Sequence, residues 1–135
     1  MYSAVATALS AVEASTRRLE VVASNVANVD TTGSLPTASR QKETYAPVRV
    51  VQTNIPGPNG IGGTVATDVR PMAPASQPRY APDAAHADAR GMVAAPAVDM
   101  AEQMHEGILA LHQATAGALS FRAFQAMIRR LFEVA

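Results

Sequence analysis

Glu102 and His105 stand three residues apart, the spacing of half a di-iron Glu-x-x-His site. Such a site needs a second pair and two further glutamates on facing helices, and no second Glu-x-x-His occurs. His105 and His112 would share a helix face, but their spacing is about 10.5 Å, too far to chelate one ion. The stretch Gly57–Gly63 lacks the Gly-Lys-Ser/Thr ending of a phosphate loop and the Gly-x-Gly-x-x-Gly spacing, and no helix start follows it. It reads as a hairpin turn. Asp83, His86 and Asp88 lack the twelve-position calcium-loop pattern and read as solvated loop. Arg17-Arg18 and Arg129-Arg130 are too sparse, without interleaved aromatics, to form a nucleic-acid surface. No cysteine is present to act as a nucleophile. The sequence therefore predicts a protein that is not an enzyme, with no catalytic residue, cofactor or metal, and with neither nucleic acid nor a small-molecule substrate as partner. A small helical metal-binding or enzymatic domain is the alternative, and a stoichiometric transition metal would support it.

The composition points instead to self-association. The chain has 135 residues, zero formal net charge and only 16% charged residues. Its apolar content rests on Ala and Val, with 4% aromatics and no Trp. Large side chains contribute most to a core, about 1.5–3 kcal/mol each when buried, and few are available here. Disulfides are excluded, so oligomerisation is the expected source of extra stability. No apolar run reaches the roughly 18 residues that would span a bilayer. The N-terminus lacks the early positive charge and continuous apolar run of a cleaved signal peptide, which by itself predicts a cytosolic protein. The mixed charge of its polar face disfavours a membrane-surface helix.

Three zones position these residues. From Ser3 to Asn28 there is no Gly or Pro, and Val5, Leu9, Val12, Leu19, Ala23 and Val26 recur at alternating steps of four and three, with Thr16 filling the gap. This spacing predicts a helix of roughly 40 Å. Asn28, Asp30, Thr31, Thr32 and Gly33 then supply helix-stop chemistry, and Pro36 prevents continuation. From Ser34 to Ala97 the chain holds all nine prolines, which excludes a long helix. Val48–Thr53 and Thr64–Val69 read as a small antiparallel pair around the Gly57–Gly63 turn. Pro71–Pro82 is expected to be extended or poorly ordered. From Val98 to Val134 a second helix is expected, with Asp99 as its cap and Glu102 at capping-box spacing. Its stripe passes through Met100, Met104, Leu111, Ala114, Ala118, Phe121, Ile128 and Phe132, widened by Ile108, Leu119 and Leu131.

The expected fold class is α+β. Two long terminal helices pair as an antiparallel coiled coil, and a small irregular β-hairpin insert lies between them. Residues 1–33 and 98–135 would form one discontinuous helical domain, and residues 34–97 the Pro/Gly-rich insert. Candidate helix-packing and assembly residues are Val5, Leu9, Val12, Leu19, Val26, Met104, Ile108, Leu111, Phe121 and Ile128. Ala, Thr, Gly and Gln dilute both stripes, so the pair should gain from neighbouring subunits.

The segment Ala8–Ala11 through Arg18–Gly33 resembles the N-terminal signature of flagellar rod and hook proteins. Asn25, Asn28, Thr31 and Gly33 sit where that pattern has its Asn-x-x-Asn and Thr/Gly turn. Ala87–Asp99 resembles the segment leading into the last helix of the proximal-rod members, with Asp88, Gly91, Val93, Pro96, Val98 and Asp99 in agreement. Over His112–Gly117 only Ala116 agrees with the Arg-x-Tyr-x-Ala-Asn segment of that family. The resemblance implies a structural subunit of the bacterial flagellar basal-body rod. Such a protein polymerises helically through its end helices into the drive shaft and export-channel wall. Its implied partners are copies of itself, other rod proteins and the flagellar type III export apparatus. Its implied location is the periplasmic rod, reached without a cleaved signal peptide. Asn25, Asn28, Asp30, Thr31 and Gly33 would form the family's turn. Absence of Cys suits an oxidising compartment.

Overall fold

The computed structural model describes residues 2–37, 44–60 and 62–134. The apolar spacing at both ends is realised as helix: α1 spans Tyr2–Ala27 and α2 spans Met100–Val134. Between them lie β1 (Val48–Pro56), β2 (Gly63–Pro71), β3 (Ser76–Tyr80) and β4 (Met92–Pro96). The fold is α+β, with a helix at each end and two small antiparallel sheets between.

The insert differs from the single hairpin expected. β1 and β2 form one two-stranded sheet, each longer than its sequence signal, and the 57–63 stretch is their turn. Asn59 adopts a left-handed φ of 58° there, and Gly57 N–H donates to the Gly62 carbonyl at 3.0 Å. A second sheet pairs β3 with β4, from Ser76 opposite Pro96 to Tyr80 opposite Met92. The 71–82 stretch, expected to be extended or poorly ordered, instead holds β3, with Pro78 inside it although proline cannot donate to a ladder. The register explains why it is tolerated. Pro78 faces Ala94, whose N–H and C=O both bond to Gly33, at 2.8 and 2.9 Å. Pro78 therefore occupies a non-hydrogen-bonded position and forfeits no ladder bond.

The chain's contacts form two compact units. The first holds Met1–Glu20, Val50–Asp68 and His105–Ala135. In it, Thr7 donates its hydroxyl to the Gly63 carbonyl, and Ser10 Oγ accepts from Val65 N–H at 3.1 Å, so polar residues of α1 meet the start of β2. On the α2 side, a β-carbon placed on Gly117 would stand 2.7 Å from Val12 Cγ2 and 3.5 Å from the Ala8 carbonyl oxygen. Arg18 Nε lies 3.5 Å from Glu106 Oε2. Advancing along α1 thus meets earlier residues of α2, and within this unit the two helices run in opposite directions.

The second unit holds Val21–Arg49 and Val69–Met104. Its apolar centre is β4, where Val93, Ala94, Ala95 and Pro96 are all buried, together with Val21 and Pro47. Asp99 caps α2 as its position predicts, accepting from Ala101 N–H at 2.8 Å and Glu102 N–H at 3.2 Å.

Candidate assembly surface

Gln103, Ala110 and Gly117, seven apart, are the buried positions of α2, at 4% exposure or less where they carry a side chain. Most of its large apolar residues are exposed: Met104 at 63%, Ile108 at 55% and Leu111 at 56%, followed by Leu119, Met127, Leu131 and Phe132. Steps of four and three place Met104, Ile108 and Leu111 on one stripe, roughly a third of a turn from the Gln103–Ala110–Gly117 line at 100° per residue. A soluble helix normally shows the reverse, with large apolar residues turned inward.

The candidate packing residues divide accordingly. On α1, Val5, Val12, Leu19 and Val26 are half-buried, while Leu9 is 53% exposed. Val12 is the one whose side chain meets Gly117. On α2, Met104, Ile108, Leu111 and Phe121 are exposed and Ile128 is half-buried. The buried helix positions Ala14, Ser15, Val21, Asn25, Gln103, Ala110 and Gly117 all lie outside the candidate stripe. The available signal was the Gln103–Ala110–Gly117 spacing, since a glycine inside a long helix marks close approach by a neighbour.

The residues after α1 form a closely bonded turn. Asn28 Nδ2 donates to the Ser24 carbonyl at 2.8 Å, satisfying an acceptor at the helix end. Thr31 sends its backbone N–H, at 3.1 Å, and its hydroxyl, at 2.7 Å, to the Asn28 carbonyl. Asp30 pairs with Arg79 at 3.1 Å, in an exposed contact of small energetic weight. Gly33 is buried beside Ala94. Asn25, 1% exposed, has its amide bonded to Tyr45, Val48 and Gln103.

The 87–99 segment is organised by Asp88. Its Oδ1 accepts from Arg90 N–H at 2.8 Å and Met92 N–H at 2.9 Å, and its Oδ2 from Arg90 Nη2 at 3.1 Å. These bonds hold the carboxyl below its ordinary pKa. The Met92 N–H acts most strongly, then the Arg90 N–H; burial opposes them, and the Arg90 guanidinium adds to the lowering.

Glu102 and His105, the half-motif for metal, are both exposed. Among the described residues no group of three or more His, Asp or Glu could hold a metal ion. No helix among them is long and apolar enough to cross a membrane. What the surface offers is a row of exposed large apolar side chains on a helix whose buried positions are Gln103, Ala110 and Gly117. No curated protein matches the chain. Residues 6–33, which comprise most of α1 and the turn that ends it, match the family model for flagella basal body rod proteins.

Proposed function

We propose that this chain is a structural subunit of the bacterial flagellar basal-body rod, of the proximal-rod type. Its terminal helices act as an antiparallel coiled coil, residues 1–33 with 98–135, and the 34–97 insert packs outside it. Subunits polymerise helically with copies of themselves and with other rod proteins to form the drive shaft and the export-channel wall. They reach the periplasm through the flagellar type III apparatus without a cleaved signal peptide. The candidate residues Leu9, Met104, Ile108, Leu111 and Phe121 carry the contacts between subunits.

One observation carries this reading beyond the family match over residues 6–33: the exposed stripe of Met104, Ile108 and Leu111 on α2. Burying what remains exposed of each such side chain contributes about 1–2 kcal/mol, and association is the way to gain it. Deleting the gene and imaging purified basal bodies tests the proposal. Loss of the rod beyond its base is the expected result, and intact rods in the deletion strain would overturn it.

A further inference from the structure

Asn25 uses every hydrogen-bonding site its side chain has. A carboxamide offers two N–H donors and two acceptor positions on its oxygen. Nδ2 donates to the Val48 carbonyl at 2.8 Å and to Gln103 Oε1 at 2.9 Å. Oδ1 accepts from Val48 N–H at 3.2 Å and from Tyr45 OH at 2.9 Å. Tyr45 OH in turn lies 3.0 Å from Ser24 Oγ. The amide therefore takes both backbone groups of Val48, as a neighbouring strand would, at the first residue of β1. Its orientation is fixed by that arrangement. Turned over, Oδ1 would face the Val48 carbonyl and Nδ2 would face the Val48 N–H, so both contacts would become repulsive.

Gln103 completes the set from 78 residues away in sequence. It is 4% exposed and lies in the first turn of α2, where its N–H bonds the Asp99 carbonyl at 3.0 Å. If Gln103 withdraws, one Asn25 N–H is left in a buried place without an acceptor. That costs about 1–3 kcal/mol, comparable with the combined net worth of the two bonds to Val48. Turning the amide toward water recovers that cost, so its hold on Val48 weakens.

We propose that Asn25 is a conformational latch. Through it the first turn of α2 controls whether Tyr45–Val48 is held against α1. Order over Tyr45–Val48 is thereby conditional on the first turn of α2 being in place, although Gln103 itself does not bond to Val48. This does not rest on the rod assignment.

The test is residue-resolved amide hydrogen exchange by NMR on the full chain, comparing the native protein with Gln103→Leu and Gln103→Glu. Leucine removes the acceptor, and Val48 N–H is expected to exchange about tenfold faster, the size of one lost net hydrogen bond. Glutamate keeps an oxygen at the same place, and Val48 should stay within about twofold of the native rate. The Ala94 amide, bonded to Gly33 in the same unit, is the internal reference and should not change. An unchanged Val48 rate in Gln103→Leu overturns the latch. Equal acceleration of Val48 and Ala94 overturns it as well, because that reports general loosening of the unit.

Discussion

Val12 Cγ2 stands 2.7 Å from the point that a β-carbon on Gly117 would occupy. The absence of a side chain at position 117 is what lets α1 approach α2 there. Alanine is the better helix former by about 1 kcal/mol. Overpacking a close contact costs about 1–3 kcal/mol, and Val12 is β-branched and stiff at χ1, so it yields poorly. Gly117→Ala is therefore expected to destabilise the chain by up to about 2 kcal/mol in urea unfolding, despite its better propensity. Pairing it with Val12→Ala should recover part of that loss. A stabilised Gly117→Ala single variant would show that the helices do not meet at this point.

The interhelical pair Arg18–Glu106 is expected to matter less. Its atoms are 3.5 Å apart, off the line of a good hydrogen bond, and its side chains keep 21% and 40% of their exposure. A pair of this kind contributes about 0–1 kcal/mol and weakens with salt. Glu106→Gln should lower stability by less than about 1 kcal/mol, with the difference shrinking between low and high salt. A larger, salt-independent loss would mean that Glu106 acts through packing.

Much of this architecture is visible in the residues themselves. α1 and α2 follow from the four-and-three spacing of apolar positions, and the cap at Asp99 from its place before that spacing begins. The β1–β2 turn follows from Gly57–Gly63. β3 was hidden by the Pro/Ala/Ser-rich composition of 71–82, and its Pro78 is accommodated because its partner Ala94 bonds to Gly33, far away in sequence. The face of α2 that packs inside the chain was hidden for a different reason. Apolar spacing locates large side chains, whereas Ala110 and Gly117 are buried because they are small. The Asn25–Gln103 bond spans 78 residues and leaves no local periodic trace.

Asp88 gives a pH dependence whose sign is fixed. Its folded pKa lies below the ordinary 3.8, so the unfolded chain binds its proton first as pH falls. The carboxylate's contribution to the order of the 88–92 turn is therefore complete above about pH 4 and fades as pH drops through the lowered folded value. NMR titration should place the shared midpoint of the Arg90 and Met92 amide shifts below 3.8. In Asp88→Asn that transition should vanish, while the amide oxygen still accepts from Met92 N–H. A midpoint at or above 3.8 would mean that the carboxyl is not held by these donors in solution.

The exposed stripe of α2 separates folding from association. Met104, Ile108 and Leu111 are more than half exposed, so their exchange for glutamine removes little that the folded chain has buried. Surface changes of this kind usually fall within about 0.5 kcal/mol each, and the helical circular dichroism and unfolding midpoint of the triple variant should stay close to native. Association behaves differently if these side chains are the contact. Being just over half exposed, each would forfeit about 1–2 kcal/mol of further burial between subunits, and three together would weaken self-association by about a hundredfold or more. Sedimentation velocity over a concentration series measures this directly, with Gly117→Ala as the contrast that disturbs folding without touching the stripe. Native-like association in the triple variant would locate the subunit contact elsewhere. Lost helicity at low concentration would show that the stripe is instead packed within the chain.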